Sequence, residues 1–347
     1  MSILVEIEKK LGAFELNVGF SAEDEVVALL GASGCGKSMT LRCIAGIETP
    51  DRGRIVVDGV TLFDSEKKIN LSPQERHTGL LFQNYALFPN MTVLQNIKAG
   101  AKREKNTARR EKLMGEIIKS FGLSELLKRY PRQLSGGQQQ RTALARILVS
   151  SPDILLLDEP FSALDSHLRF RLEEEVRQVM RSFGKSVILV SHDRDEVFRL
   201  SDKIAVMNSG KIEVFGEKKD VFADPVTRTG AILTGCKNIS RIEPIDETHV
   251  KALDWGMVLE TRRGTSEAEY IGIRMHDICA GEGENGVVCE VVSEIENPFS
   301  YTVMLRPRDA EKTSPVGWEL DKSLWERLRS RNVAISLPPE KIVLLKG

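Results

Sequence analysis

The sequence predicts an α/β domain built on a largely parallel sheet, followed by a smaller β-rich domain. Three observations carry that prediction. Short apolar runs alternate with helical patterns through the first two thirds of the chain, as in sheets whose strands are joined by crossover helices. A glycine-rich loop, Gly31-Ala32-Ser33-Gly34-Cys35-Gly36-Lys37-Ser38, lies between one such run and a helical pattern. Late in the chain the period changes to two, in Val287, Cys289 and Val291, then Tyr301, Val303 and Leu305, then Val333, Ile335 and Leu337. That alternation argues for a small, barrel-like β domain.

Taken in order, the run 25–30 is the strand that feeds the glycine loop, and 38–46 is a helix that ends at a glycine. Further strands are expected at 54–57, 79–82, 154–158, 186–191 and 203–208, and helices at 107–121 and 138–150. These place a mostly helical insert at about 84–151 inside a first domain of residues 1–225. Asp224-Pro225 reads as a turn, 226–240 as a connector and 241–347 as the β-rich domain. The charged run 102–112 is a solvated helix face.

A length of 347 residues suits two domains, and 41% hydrophobic with 29% charged residues is ordinary for a globular chain. Lysine and arginine number 49 against 50 acidic residues, a balance that argues against nucleic acid as a partner held by bulk charge. The five cysteines, Cys35, Cys43, Cys236, Cys279 and Cys289, form no CxxC pair, and their odd number disfavours a complete disulfide framework. Reduced thiols are expected. The first residues show no basic region followed by an apolar core. The apolar runs are too short to cross a bilayer, so a membrane role runs through partners.

The glycine loop is suited to phosphate. Glycines let successive backbone N–H groups turn inward, and the helix that follows adds its positive end. Lys37 then reaches the β- and γ-phosphates of a nucleoside triphosphate, and the Ser38 hydroxyl is a ligand for Mg²⁺. A chance glycine-rich turn is the weaker alternative, because the full string falls between strand and helix. The apolar strand 154–157 ends in Asp158-Glu159, which delivers two carboxylates to a sheet edge. Asp158 is a candidate metal residue and Glu159 the candidate that polarises the attacking water. Cys35, inside the loop, is expected to be a reactive thiol whose alkylation inactivates the protein and is blocked by ATP. Phe14 is the nearest aromatic upstream of the loop, a candidate for stacking on the base or else simple core.

Leu134-Ser135-Gly136-Gly137-Gln138, about a hundred residues after the loop, gives a hydroxyl and unhindered amides at a helix start. With this segment in order after the loop, residues 1–225 resemble the ATP-binding subunits of ABC (ATP-binding cassette) transporters. The resemblance implies a P-loop nucleoside triphosphatase with a helical subdomain, using ATP and Mg²⁺. It implies that Gln83 senses the metal and the lytic water, and that His192 contacts the γ-phosphate. Ser162-Ala163-Leu164-Asp165 corresponds to a loop crossing a dimer interface. Ser135, Gly136, Gly137 and Gln138 would act on the nucleotide held by the opposite subunit. A homodimer with two sandwiched ATP molecules is therefore expected, with pairing to a different cassette left open.

A single cassette followed by a small β domain resembles the ATPases of bacterial importers for sugars, sulfate, ferric iron, polyamines and molybdate. Their tails are OB-like barrels (OB, TOBE or Mop-like), and 337–342 is similar to the closing segment. Such subunits sit on the cytoplasmic face of the membrane, with permease subunits and an extracytoplasmic solute-binding protein as partners. Residues 64–73 before Arg76, and 234–238, resemble molybdate importer ATPases, so molybdate or a related oxyanion is the expected cargo. Sugar, sulfate and ferric-iron importers are the alternatives, and a non-transport ABC ATPase is a more distant one. Arg274 and His276 are candidate oxyanion ligands, weighed against a solvated face. Tyr85, Leu87 and Phe88 are candidates for docking the membrane partner, or else pack within the helical subdomain.

Overall fold

Five apolar runs of the first 218 residues become neighbouring parallel strands, because a strand covered on both faces needs no polar alternation. In spatial order they are Lys203–Asn208, Val26–Gly31, Val187–Ser191, Ile154–Asp158 and Thr78–Leu81 in the computed structural model, each parallel to the next. Every residue of Ile154–Asp158 and of Val187–Ser191 is buried. Beyond Lys203–Asn208 the sheet continues through Lys211–Glu217, Phe14–Glu23, Ser2–Leu11, Arg52–Val57, Val60–Asp64 and Ile69–Asn70, making eleven strands. The structure describes residues 2–101, 106–162, 166–262, 264–265, 267–310 and 312–347, without the side chains of 166–168.

Parallel pairing has a functional result. The residues that follow Val26–Gly31, Thr78–Leu81, Ile154–Asp158 and Val187–Ser191 all emerge at one sheet edge. The glycine loop, Gln83, Glu159 and His192 are those residues. Helices Val93–Gly100, Thr107–Ser120 and Gly136–Leu148 form the expected helical segment around their own core, which includes Ile97, Ile118, Leu123 and Ala145. Of the charged run, residues 102–105 lie outside the described residues.

Arg76 ties the framework together at the far end of the helix that follows the glycine loop. It is 1% exposed. Its guanidinium donates to the Cys43 and Ile44 carbonyls at 2.6 and 3.0 Å, to the Leu71 carbonyl at 2.9 Å and to Asn70 Oδ1 at 2.8 Å. The first two carbonyls belong to the last turn of helix Lys37–Ala45, where a cation also meets the negative end of the helix dipole. Gly46 caps that helix in the left-handed region at φ 77°, and a Cβ there would lie 2.6 Å from Arg76 Nε.

The chain divides into two compact units, Met1–Lys218 and Lys219–Gly347. The division precedes the expected boundary at residue 225, and the connector expected at 226–240 is corrected to an ordered part of the second unit. Thr227 caps helix Arg228–Leu233 by accepting from the Gly230 amide at 3.0 Å, and strand Asn238–Pro244 begins before residue 240. A helix of six residues is too short to show a period, so the sequence read as a loop.

The rest of the second unit is two five-stranded antiparallel sheets with helix Lys322–Leu328 between strands of the second. One runs Met257–Glu260, His249–Ala252, Asn238–Pro244, Tyr270–Ile273, Val343–Leu345. The other runs Cys279–Ala280, Asn332–Ser336, Val287–Glu296, Ser300–Pro307, Val316–Asp321. Residues from both sheets, among them Val250, Ile271, Val303 and Ile335, share one core. Trp318 and Trp325 meet edge to face in it with centroids 6.3 Å apart. Among the described residues no helix is long and apolar enough to cross a membrane.

Candidate nucleotide site

The glycine loop joins strand Val26–Gly31 to helix Lys37–Ala45. Gly36 is the N-cap of that helix at φ 108°, and a Cβ there would lie 2.6 Å from Leu16 Cδ1, so the turn requires glycine. A Cβ on Gly31 would fall 2.5 Å from both Cys35 Sγ and the Met207 carbonyl oxygen. The loop thus curls over a tightly filled base. Lys37 Nζ donates to the Gly31 and Ala32 carbonyls at 2.7 and 2.9 Å, which holds the ammonium inside the ring of amides.

A cavity of about 410 Å³ opens beside the loop, lined by Ser33, Gly34, Gly36, Lys37, Ser38 and Glu159, with Leu11, Phe14, Met39 and Arg42 completing the wall. Of the predicted loop residues, Gly31 and Cys35 are buried behind it and Ala32 is exposed outside its wall. Ser38 Oγ donates to Asp158 Oδ1 at 2.8 Å. Burial pushes the Asp158 carboxyl above its ordinary range; the Ser38 hydrogen bond, Arg42 and Lys37 oppose this, and the Glu159 charge adds to it. Among the described residues no group of three or more His, Cys, Asp or Glu forms a metal site of its own. A hydroxyl beside one carboxylate suits Mg²⁺, which keeps several waters and takes phosphate oxygens as its other ligands.

Glu159 is the hub of the acidic edge. Its backbone sits in the left-handed region at φ 45°, pinned by its amide donating to the Val190 carbonyl at 3.1 Å and by its carbonyl accepting from Ser162 Oγ at 3.0 Å. Gln83 Nε2 donates to Glu159 Oε2 at 3.3 Å and to Ser162 Oγ at 3.2 Å. His192 Nδ1 lies 3.3 Å from Glu159 Oε1. The structure therefore brings together the three residues expected to serve hydrolysis, from three different strands. His192 is steadied by its neighbour Asp193, whose Oδ1 accepts the Asp195 and Glu196 amides that start helix Arg194–Leu200.

Ser135, Gly136, Gly137 and Gln138 line no part of this cavity. Ser135 is the N-cap of helix Gly136–Leu148, where its hydroxyl accepts the Gln138 amide while Gln138 Oε1 accepts the Ser135 amide at 3.0 Å. Gly137 leaves room for Leu172, whose Cδ1 would lie 3.1 Å from an added Cβ. Asp165, with Ala163 and Leu164, lies outside the described residues.

Sequence reasoning missed Leu11, Met39 and Arg42 in the cavity wall. Arg42 was traceable, since it falls four residues past Ser38 on the same helix face; Leu11 reaches the cavity only through the fold of the first hairpin. The reactive role expected for Cys35 is corrected by its burial beneath the loop at 6% exposure. Burial pushes the Cys43 and Cys236 thiols up to about 11 and the Cys289 thiol up to about 12, while Cys279 is exposed. Brief alkylation with iodoacetamide near neutral pH is therefore expected to mark Cys279 first; peptide mass mapping that finds Cys35 labelled as fast would contradict this packing.

A glycine loop on a parallel sheet, an acidic strand end and a helical segment define a P-loop ATP-binding cassette, and that is the fold of the first unit. Residues 16–162 match the family model described as ABC transporter. The chain is similar to the spermidine/putrescine import ATP-binding protein PotA of Bacillus cereus, 45% identical over 218 residues, covering 62% of this chain and 65% of that protein. It is similar to the putrescine transport ATP-binding protein PotG of Escherichia coli, 44% identical over 216 residues, covering 62% of this chain and 56% of that protein. It thus spans less than two thirds of either relative. Among solved structures, the dimeric post-hydrolysis state of the ATP-binding cassette MJ0796 bound to ADP and Pi is 29% identical with a TM-score of 0.53, covering 63% of this chain and 99% of that one. The cbiO1 structure from Clostridium perfringens is 27% identical with a TM-score of 0.54, covering 64% and 91%.

Proposed function

We propose that this chain is the ATP-hydrolysing subunit of an ABC importer, working as a homodimer beneath permease subunits at the cytoplasmic face of the membrane. The observation that carries the reading is the meeting of Gln83, Glu159 and His192 beside the Lys37–Ser38 cavity. Lys37 exchanges its two loop carbonyls for phosphate oxygens when nucleotide enters. Ser38 and Asp158 hold Mg²⁺, which when bound offsets phosphate charge. Glu159 orients and polarises the attacking water, while Gln83 and His192 fix its two carboxylate oxygens. Ser135 and the glycines beside it lie outside their own chain's cavity, which fits a role at the nucleotide of a second copy. The dimeric state of the solved MJ0796 cassette supports that arrangement.

For cargo, the polyamine importers among the relatives support putrescine or spermidine rather than molybdate. The segments that resembled molybdate importers serve the framework. Asp64 Oδ1 accepts the Glu66 and Lys67 amides, and Asn70 and Leu71 brace Arg76. Arg274, a candidate oxyanion ligand, spends its donors on the Thr234 and Phe222 carbonyls, and its partner candidate His276 is exposed.

The test is to co-express the chain with its permease, reconstitute both in liposomes and add the binding protein with each solute. Putrescine or spermidine is expected to raise MgATP turnover and accumulate inside, and molybdate to do neither. Stimulation by molybdate alone would overturn the cargo assignment. Absence of any Mg-dependent hydrolysis would overturn the enzyme assignment.

A further inference from the structure

The loop that begins at Gln83 is held in a conformation its own residues disfavour. Tyr85 and Ala86 are consecutive and both left-handed, at φ 59° and 42°, a backbone state in which a Cβ crowds the following carbonyl. The local bonds from the Tyr85 amide to Phe82 O and from the Ala86 amide to Asn84 O are short-range turns. Tyr85 is buried, yet its hydroxyl has no hydrogen-bond partner. Its side chain therefore gives the loop no polar anchor, and something else must fix the backbone.

Asn96 holds the far end of the loop, accepting the Phe88 amide at 2.9 Å and donating to the Phe88 carbonyl at 3.2 Å; the side chain that grips the strained pair itself is Arg146, in the last turn of helix Gly136–Leu148. Its Nη1 donates to the Ala86 carbonyl at 2.7 Å and its Nη2 to the Tyr85 carbonyl at 3.1 Å. The two prongs of the guanidinium thus grip the two carbonyls of the strained residues. The Phe88 ring covers the guanidinium at 5.2 Å from its centroid. Among the described residues no carboxylate pairs with Arg146, so its charge serves these carbonyls. The helix itself has little room to slip. A Cβ on Gly100 would lie 2.0 Å from the Arg146 carbonyl oxygen, and one on Gly79 would lie 2.5 Å from Ile147 Cγ2.

We propose that Arg146 is a positioning residue that latches residues 84–88 in their strained form and thereby sets where Gln83 meets Glu159. The helix that ends in this latch begins at Ser135. The Ser135 segment is therefore tied to the Gln83 loop through one closely packed helix, two hydrogen bonds and a stacked ring. The inference rests on the hydrolytic role proposed for Glu159, but its structural half stands independently.

The experiment compares Arg146→Lys with the double variant Arg146→Lys/Ala86→Gly in the full-length chain. Lysine keeps the charge but is a point donor that cannot grip two carbonyls, and glycine removes the steric cost of the left-handed state at residue 86. Two readouts are taken: hydrogen exchange of the amides at 84–87, and turnover beside MgATP affinity. Loss of one charge-assisted bond is expected to speed exchange about tenfold and lower turnover by about the same factor, with nucleotide affinity changed less than about twofold. Ala86→Gly is expected to recover at least half of both losses. Unchanged exchange in Arg146→Lys overturns the latch, whether or not the wild-type chain hydrolyses ATP. Loss of nucleotide binding and thermal stability that Ala86→Gly does not recover also overturns it, as a bulk packing role. Faster exchange in a wild-type background that hydrolyses nothing would leave the latch standing and remove the proposed enzyme function instead.

Discussion

Glu159→Gln is expected to lower steady-state ATP hydrolysis by about 10²–10⁴-fold, the contribution of a positioned proton acceptor, while leaving nucleotide binding intact. The substitution is isosteric, and the contacts that set the residue are on its backbone. Its amide still donates to Val190 and its carbonyl still accepts from Ser162. The left-handed φ of 45° costs glutamine about what it costs glutamate, ~1 kcal/mol, so the fold has no reason to move. What disappears is the carboxylate that faces Gln83 on one oxygen and His192 on the other. The lysine, serine and aspartate proposed to meet the phosphates and metal are untouched, so the ATP-bound state is expected to form but not to discharge. In MgATP the variant should elute from a sizing column as a dimer, and the wild type as a monomer after turnover. Unchanged phosphate release, with no dimer, would remove Glu159 from its assigned role.

The parts of this site that were legible in the sequence are those where chemistry and backbone period coincide. Strands Ile154–Asp158 and Lys203–Asn208 appear at the expected bounds, because a strand covered on both faces is a bounded apolar run. The outer strand Lys211–Glu217 alternates exposed and half-buried residues, and its charged positions disguise it. Helix Gly136–Leu148 starts two residues before the expected position because Ser135 and Gln138 cap each other, a spacing that was readable but unused. The left-handed state of Glu159, Tyr85 and Ala86 had no sequence signal, since none of them is glycine. Arginine-to-carbonyl bonds leave no signal either. A carbonyl is present at every residue, so neither Arg146 nor Arg76 has a partner that can be recognised by type.

Arg76→Ala is expected to cost about 3–5 kcal/mol, because it leaves the Ile44 and Leu71 carbonyls without a donor, at about 1–3 kcal/mol each, and empties a buried side-chain volume. The guanidinium is 1% exposed and makes four hydrogen bonds, those to the Cys43 and Ile44 carbonyls buried and those to Leu71 and Asn70 part-buried. The Ile44 carbonyl is left without a donor and the Cys43 carbonyl keeps only the Gly46 amide at 3.2 Å, so the loss falls on the end of the helix that carries Lys37 and Ser38. Burial lowers the Arg76 pKa from its ordinary value, yet an arginine stays protonated near neutral pH, so the full charge-assisted set is present there. In a unit of 218 residues, each kcal/mol moves the midpoint by about 2–4 °C. A drop of about 6–20 °C is therefore expected in the first unit's thermal transition, with the transition of the second unit unmoved. Arg76→Lys should recover only part of the loss, because an ammonium reaches one or two of the four acceptors rather than gripping them as a fork. Calorimetry of the full chain reads both transitions at once. A shift below about 2 °C in Arg76→Ala would mean that the helix end is held by something other than this arginine.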